Sequence, residues 1–529
     1  ILLIGFSTLS FAQITKGPGG VTTDLEIWLK ANDGAGSSDN QPVSTWYDQA
    51  NSNDASVNRA GQEPTYRDNA DYNINYNPVV DFDTSYGLAP IDSDFSYDNT
   101  NGDFLQGSAG FHTQDIFAVV LPDKTVNSTF GNMDLFCGDE DISTNTEDVT
   151  GFGFGRYSAR FTNEVCSYCV GPSTSSSPYL GYGVSDNGSG TDYNNVGILN
   201  ARNNSALTQQ ELFYNANNVE TVQNDISDFS NVNNSRYWIG RSEAYEAAAD
   251  ARIVEVISFS SRKNDASLTD ERNKIQSYLA IKYGVTLGVN GTSQDYVASD
   301  GSVIWDASAN TGYNYDIAGI GRDDDSELVQ KQSKSVNASS IVSISLGNTE
   351  LTNNLNTNTF NTSNEFLVWG HNGQNTNASG SSISVSLGPA TITTVTDVMN
   401  RVWKIVETTG DDIGTVEVLV LDSDLTGMPA LTGNDSYVML VADDPSFSVN
   451  LETVFLDPSS FNSSPTREGT FDFDGTKYFT IGIAHEEIKE RQLGFDGIDN
   501  FTLIGDKVDL AGSFTASAWI KPDGSNSLG

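Results

Sequence analysis

Short runs of alternating or β-branched residues, cut every few positions by Gly, Asn, Asp, Ser and Pro, dominate this chain and constrain its fold more than any other feature. Ile253-Val254-Glu255-Val256-Ile257, Ile341-Val342-Ser343-Ile344-Ser345-Leu346 and Glu365-Phe366-Leu367-Val368-Trp369 are three such runs. Val402-Trp403-Lys404-Ile405-Val406, Val416-Glu417-Val418-Leu419-Val420-Leu421 and Tyr437-Val438-Met439-Leu440-Val441 continue the pattern. A period of two sends successive side chains to opposite faces, so each run buries one face and wets the other, as antiparallel sheets do. Charged residues make up only 18 % of the chain, while 37 % hydrophobic and 10 % aromatic residues suffice for packed cores. The polarity therefore comes from turn residues, and the expected fold is all-β, built from antiparallel sandwiches.

One segment breaks the pattern. Leu268 to Tyr283 predicts a helix, with Ser267 as cap, Asp270 in capping-box position and Gly284 at the C-terminal stop. Leu268, Ile275, Leu279 and Tyr283 fall on one face. Gly288 to Ser293, GVNGTS, reads as a linker, and His485 to Gln492 as a second, charged break. A chain of 529 residues accommodates two to four cores. The expected domains are 14–288, 294–485 and a short 493–529.

With 27 Lys+Arg against 70 Asp+Glu the formal net charge is −43. Nucleic-acid phosphates and anionic membranes would be repelled. No stretch reaches the length of a membrane-spanning helix, so no membrane insertion is expected. Residues 1–12 read as the remnant of a signal peptide: Ile1 to Phe11 are mostly apolar, and Ser10-Phe11-Ala12 supplies a small-x-small cleavage site. The expected location is secreted or cell-surface.

Internal similarity adds a further constraint. Pro78-Val79-Val80-Asp81-Phe82-Asp83, followed by Asp115 to Asp123, matches Leu493 to Gly497 followed by Ser513 to Asp523: a strand ending in Phe-Asp, a spacer, and a strand ending in Pro-Asp. The C-terminal copy, FDGIDNFTLIGDKVDLAGSFTASAWIKPDG, resembles the opening of LamG-like, concanavalin A-type lectin and glucanase jelly-roll modules. LEIWLKAND, VSTWYDQ, PVVDFD, IFAVVLPD, RIVEVISFS and ERNKIQSYLAIKYGV make the first domain look like a divergent relative, similar to N-terminal modules of large exported bacterial surface proteins. YVASDGSVIWD to RVWKIVE resembles a β-rich domain of unknown function that accompanies them. The resemblance implies a jelly-roll sandwich, a second β-sandwich and a truncated second jelly roll. It also implies carbohydrate or protein ligands, often with calcium, and a downstream sorting domain of the type IX secretion route.

Catalytic patterns are scarce. The E-x-D-x-x-E run of jelly-roll glucanases is missing, although folding can bring carboxylates together, so a polysaccharide hydrolase or its accessory module is the rival reading. His112, His371 and His485 sit in turn-like sequence and are too few and scattered for a triad. The expected function is non-catalytic, adhesin-like binding of extracellular carbohydrate or a surface protein through jelly-roll loops; a purely structural stalk spacer is a further alternative. Sugars stack on exposed aromatic faces, which singles out Trp46, Tyr47, Tyr313 and Tyr315, while the other tryptophans sit in apolar strands and read as core. Asp323, Asp324 and Asp325 form the densest acidic turn, the candidate for calcium. Cys166 and Cys169, in C-x-x-C, are the candidate disulfide, with Cys137 as leftover thiol or alternative partner.

Overall fold

The computed structural model describes residues 15–485, apart from internal stretches at 37, 58–59, 84–101, 111–112, 127–132, 139–149, 155–165, 171–181, 187–188, 205–208, 224–235, 241–248, 387–391, 409–411 and 434. The segment read as a signal-peptide remnant, His112 and the segment read as a C-terminal repeat copy lie outside the described residues. Every ladder between the described strands is antiparallel, and the strands gather into four larger sheets and a two-stranded ribbon.

The first sandwich has a nine-stranded sheet centred on Asp115–Pro122 and Ala251–Phe259, with Gly197–Asn204 on one side and Val79–Phe82 on the other. An eight-stranded sheet shares its core, Leu105, Phe136, Tyr237 and Ile239 joining Val119 and Ile253 in one buried cluster. Neighbours such as Asp115–Pro122 and Ala251–Phe259 are far apart in sequence, the long-range pairing a jelly roll requires. The second sandwich pairs another nine-stranded sheet, through Tyr315–Asp323, Glu365–His371, Trp403–Glu407 and Thr476–His485, with a five-stranded sheet through Val342–Leu346 and Thr415–Leu421. Its core includes Ile320, Trp369, Ile405, Met439 and Ile481 from one sheet and Ile344, Val418 and Val420 from the other. The all-β fold is as the sequence implies.

The helix α1 spans Glu271–Tyr283. It starts three residues later than its pattern suggests, because Asp270 accepts the backbone N–H of Ser267 (2.6 Å) and closes a turn ahead of the helix. Leu268 is left outside it and exposed. Gly284 ends the helix in the left-handed region (φ 67°), where only glycine is free of strain, and its N–H caps Ala280 O. The helix is buried nearly all round. Trp28, Ile257, Ile275, Leu279, Ile317, Phe366 and Val368 belong to one continuous core that runs from the first sandwich across α1 into the second.

Gly288 to Ser293 is therefore packed chain and not a free linker. Gly288 N–H donates to Asn215 O (2.6 Å) in the first sandwich, and Asn290 Nδ2 to Asp316 Oδ1 (2.8 Å) in the second. The described residues form one compact unit.

Candidate functional site: an aromatic corner on the second sandwich

Tyr313 closes a loop that the sequence rigidifies residue by residue. The Asp306 carboxylate accepts the N–H groups of Ser308 (2.9 Å) and Ala309 (2.8 Å). Tyr313 N–H returns to Asn310 O (2.9 Å), and the buried Trp305 indole donates to Asn314 Oδ1 (2.9 Å). Lys404 Nζ reaches up from the sheet to Ala309 O (3.1 Å). The loop thus stands on the strand pair Trp403–Glu407 and Thr476–His485, where Lys404 lies opposite Tyr478. The Tyr313 and Tyr478 rings meet there, centroids 5.4 Å apart and planes at 66°. Both are half-buried. The result is a fixed corner of two amphipathic rings, with Lys404 Nζ 5.8 Å from the Tyr478 centroid.

The other sequence candidates separate. Trp46 is fully buried, its indole N–H held by Lys30 O (2.9 Å), so it is a core residue and not a ligand platform. Tyr47 is 56 % exposed, on a loop that the Asp48 carboxylate fixes by accepting the N–H groups of Trp28, Ala50, Asn51 and Asn53. Tyr315 stacks on His371 (5.7 Å, 18°) and belongs to the packing under the loop. Tyr478 escaped the sequence reading because it sits in the apolar run YFTIGIA; only the cross-strand register brings it to Tyr313.

Asp323 to Asp325 do not converge. Asp323 is buried and accepts from Ser299 N (2.9 Å), Ser299 Oγ (2.6 Å) and Ser326 Oγ (2.8 Å); Asp324 forms a two-pronged pair with Arg322 (2.7 and 2.9 Å). The Asp323 and Asp324 carboxylates are engaged by protein partners, and the three side chains do not gather into a group that could hold an ion, which corrects the calcium expectation for this run. Among the described residues, carboxylates instead approach one another at Glu407, Asp412 and Asp474, whose oxygens lie within 4.8 Å. Burial, and then the charges of Asp412 and Asp474, push the Glu407 carboxyl up.

Cys166 and Cys169 lie on one extended strand, Cys166–Val170. At ~3.3 Å per residue their Cα atoms stand roughly 10 Å apart, beyond the ~4.4–6.8 Å a disulfide spans. The pairing within C-x-x-C therefore does not fit this strand. Cys137 and Cys169 both face Gly151 in register, one on each side of its strand.

His371, read as a turn histidine, is a buried residue ending the strand Glu365–His371. Gly373 N–H donates to its Nδ1 (2.9 Å), so the ring proton sits on Nε2 and donates to Asp316 Oδ2 (2.8 Å). Burial lowers the His371 pKa, against the pull of Asp316. Burial pushes Asp316 up, but hydrogen bonds from His371, Ser339 and Asn290 outweigh it and hold it below its usual value. A histidine whose folded pKa lies below its unfolded value of 6.5 refuses a proton that the unfolded chain accepts. Stability should therefore fall as pH drops below about 6.5; the Asp316 contribution is lost only at more acid pH. Denaturant midpoints at pH 7.5, 6.5 and 5.5 check this, and a His371→Gln variant should show a flatter profile. His485, by contrast, is an exposed histidine beside Asp435 (2.7 Å).

A polar cleft of about 350 Å³ opens at the head of α1, between Gly20–Thr23 and Asn264, Thr269, Asp270, Glu271 and Lys274. Lys274 is engaged by Ser299 O (2.7 Å), and Glu271 approaches Lys263 (3.8 Å). Its lining offers no aromatic face.

Among known proteins, a family model described as Domain of unknown function (DUF8202) matches residues 271–471, beginning at α1 and running through the aromatic corner's loop into the second sandwich. No curated protein matches the chain. Domain 4 of AbnA, a GH43 extracellular arabinanase from Geobacillus stearothermophilus, solved with arabinotriose, is similar at 9 % identity over 49 % of this chain and 99 % of that one (TM-score 0.30). The CBM40 of Ruminococcus gnavus IT-sialidase, bound to α2,3-sialyllactose, is similar at 11 % identity over 30 % and 80 % (TM-score 0.23). The binding domain of botulinum neurotoxin DC, in complex with rat synaptotagmin II, is similar at 10 % identity over 88 % and 94 % (TM-score 0.28). Among the described residues no helix is long and apolar enough to cross a membrane.

Proposed function

We propose that the chain is an exported, non-catalytic binding protein that takes carbohydrate at the Tyr313–Tyr478 corner. One observation carries the reading: two half-exposed tyrosines are held at 66° on a loop and a strand that hydrogen bonds immobilise. A pyranose presents C–H groups on one face and hydroxyls on its rim, which suits rings with an apolar body and a polar edge. Fixing the rings before binding removes much of the ordering cost. The cleft at α1 has the volume for a sugar but no face for stacking. The LamG-like resemblance and the signal remnant suit an adhesin-like role at the cell surface.

A glycan array followed by calorimetry on the best binder tests the proposal. Tyr313→Ala and Tyr478→Ala should each weaken binding about tenfold, the equivalent of ~1.4 kcal/mol, with unchanged thermal stability outside the corner. Full binding by both variants would remove the corner from the function, and release of reducing ends from a polysaccharide would favour the hydrolase.

A further inference from the structure

We infer that the aromatic corner selects uncharged glycans and rejects those carrying carboxylates, with Asp444 and Asp306 as the specificity-determining residues; this rests on the carbohydrate reading above. Ala442 lies opposite Tyr478, so the turn after it brings Asp443 and Asp444 to the corner. Asp444 is held ionised, its carboxyl far below the usual range. The Ser446 hydroxyl has the largest effect, and the N–H groups of Ser448 (2.8 Å) and Val449 (2.7 Å) add to it. Its charge reaches the neighbouring ring: burial first, then Asp444, raise the Tyr478 phenol. In the loop that carries Tyr313, Asp306 is kept below its usual value by the N–H of Ala309 and the hydroxyl of Ser308. Asp443 is lowered by Lys477 and then by Asn450.

Of the cations nearby, Lys477 is held in an ion pair and Lys404 by a backbone carbonyl. Lys477 Nζ pairs with Asp443 (2.7 Å). Lys404 donates to Ala309 O, and burial lowers its pKa while Asp306 opposes that shift. A glycan carboxylate entering here would meet the Asp306 and Asp444 charges, lose its water, and have to compete with Ala309 O and Asp306 for Lys404, which forms no ion pair among the described residues. The −43 charge of the chain adds a longer-range repulsion that salt weakens. A neutral sugar brings no charge to be repelled or desolvated, and Asp306, whose loop bonds all fall on Oδ1, can accept a hydroxyl proton at Oδ2.

The test is titration of the full chain with cellohexaose, xylohexaose and mannohexaose against hexagalacturonate, at low and high salt, in the wild type and in Tyr313→Ala and Asp444→Asn. The expected result is that a neutral hexaose binds and loses affinity in Tyr313→Ala. Hexagalacturonate should bind at least about tenfold more weakly at low salt, with a gap that narrows as salt screens the rim and narrows again in Asp444→Asn. Should Asp444→Asn disturb its loop, Asp306→Asn decides: its amide oxygen can still accept the loop N–H groups, and the gap should narrow there too; an unchanged gap would assign the repulsion to the overall charge and overturn the role of the corner carboxylates. Hexagalacturonate binding as tightly as the neutral probes, and lost in Tyr313→Ala, would overturn the selectivity while leaving the corner as the site. Binding unaffected by Tyr313→Ala would instead remove the corner itself.

Discussion

Glu255→Leu should lower the free energy of unfolding by about 3–5 kcal/mol, the usual consequence of removing one partner from a buried ion pair. Glu255 is fully buried beneath α1. Its oxygens accept from Trp28 Nε1 (2.6 Å) and Tyr278 OH (2.9 Å) on one side, and from Lys282 Nζ (2.7 Å) and Tyr283 OH (2.7 Å) on the other. Burial pulls the Lys282 pKa down to about 8, and the Glu255 charge is the main influence resisting it. Leucine would leave an ammonium and three polar hydrogens in a dry space. Because breaking a pair costs far more than replacing it whole, Glu255→Leu combined with Lys282→Met should recover much of the loss. Since α1 packs into a core shared by both sandwiches, the loss should appear as an earlier single transition in denaturant, not as one sandwich melting first. Two separate transitions in the variant, or a loss below about 1 kcal/mol, would show that the network does not couple them.

The same residue shows where the sequence stops being informative. Ile253 to Ile257 was legible as a strand, and its alternation assigns Glu255 to a wet face. That inference needs one face to be solvated, whereas here α1 covers it. Arg272, Gln276 and Lys282 of α1 are polar or charged, yet all three are buried as well. Local pattern reports the period of an element, not what lies on each side of it. The boundary expected near residue 288 rested on a Gly-rich composition; its hydrogen bonds go to partners such as Asn215, some seventy residues away. Residues whose roles follow from local chemistry were readable: Gly284 ends its helix, and Trp28, Trp305, Trp369 and Trp403 are core. Half of the candidate site was readable too, since Tyr313 stands in a polar loop. Tyr478 was hidden among apolar strand residues until Lys404 paired with it.

Gly370→Ala is expected to disable the corner without touching either ring. Gly370 sits on the strand Glu365–His371, beneath the start of the Tyr315–Asp323 strand. A Cβ added there would stand 2.2 Å from Tyr313 O and 3.2 Å from Tyr315 O. Both obstacles are backbone, so no side-chain rotation can relieve the overlap, and the chain at Tyr313 must move. Overpacking of this kind typically costs about 1–3 kcal/mol. The loop is tied down by Asp306, Asn310 and Lys404, so the displacement passes to the Tyr313 ring. A ring shifted by even ~1 Å no longer presents the face set by its partner. Ligand affinity should therefore fall by about tenfold or more, with a modest drop in melting temperature and no change at Tyr47. Gly373→Ala is the informative contrast. Its added Cβ meets the Tyr315 ring at 2.5 Å, and its φ of 72° strains any side chain, so stability falls there too while Tyr313 O is not struck. If both variants lose stability and only Gly370→Ala loses glycan binding, the position of the Tyr313 loop governs recognition; equal binding by the two would place recognition elsewhere on the chain.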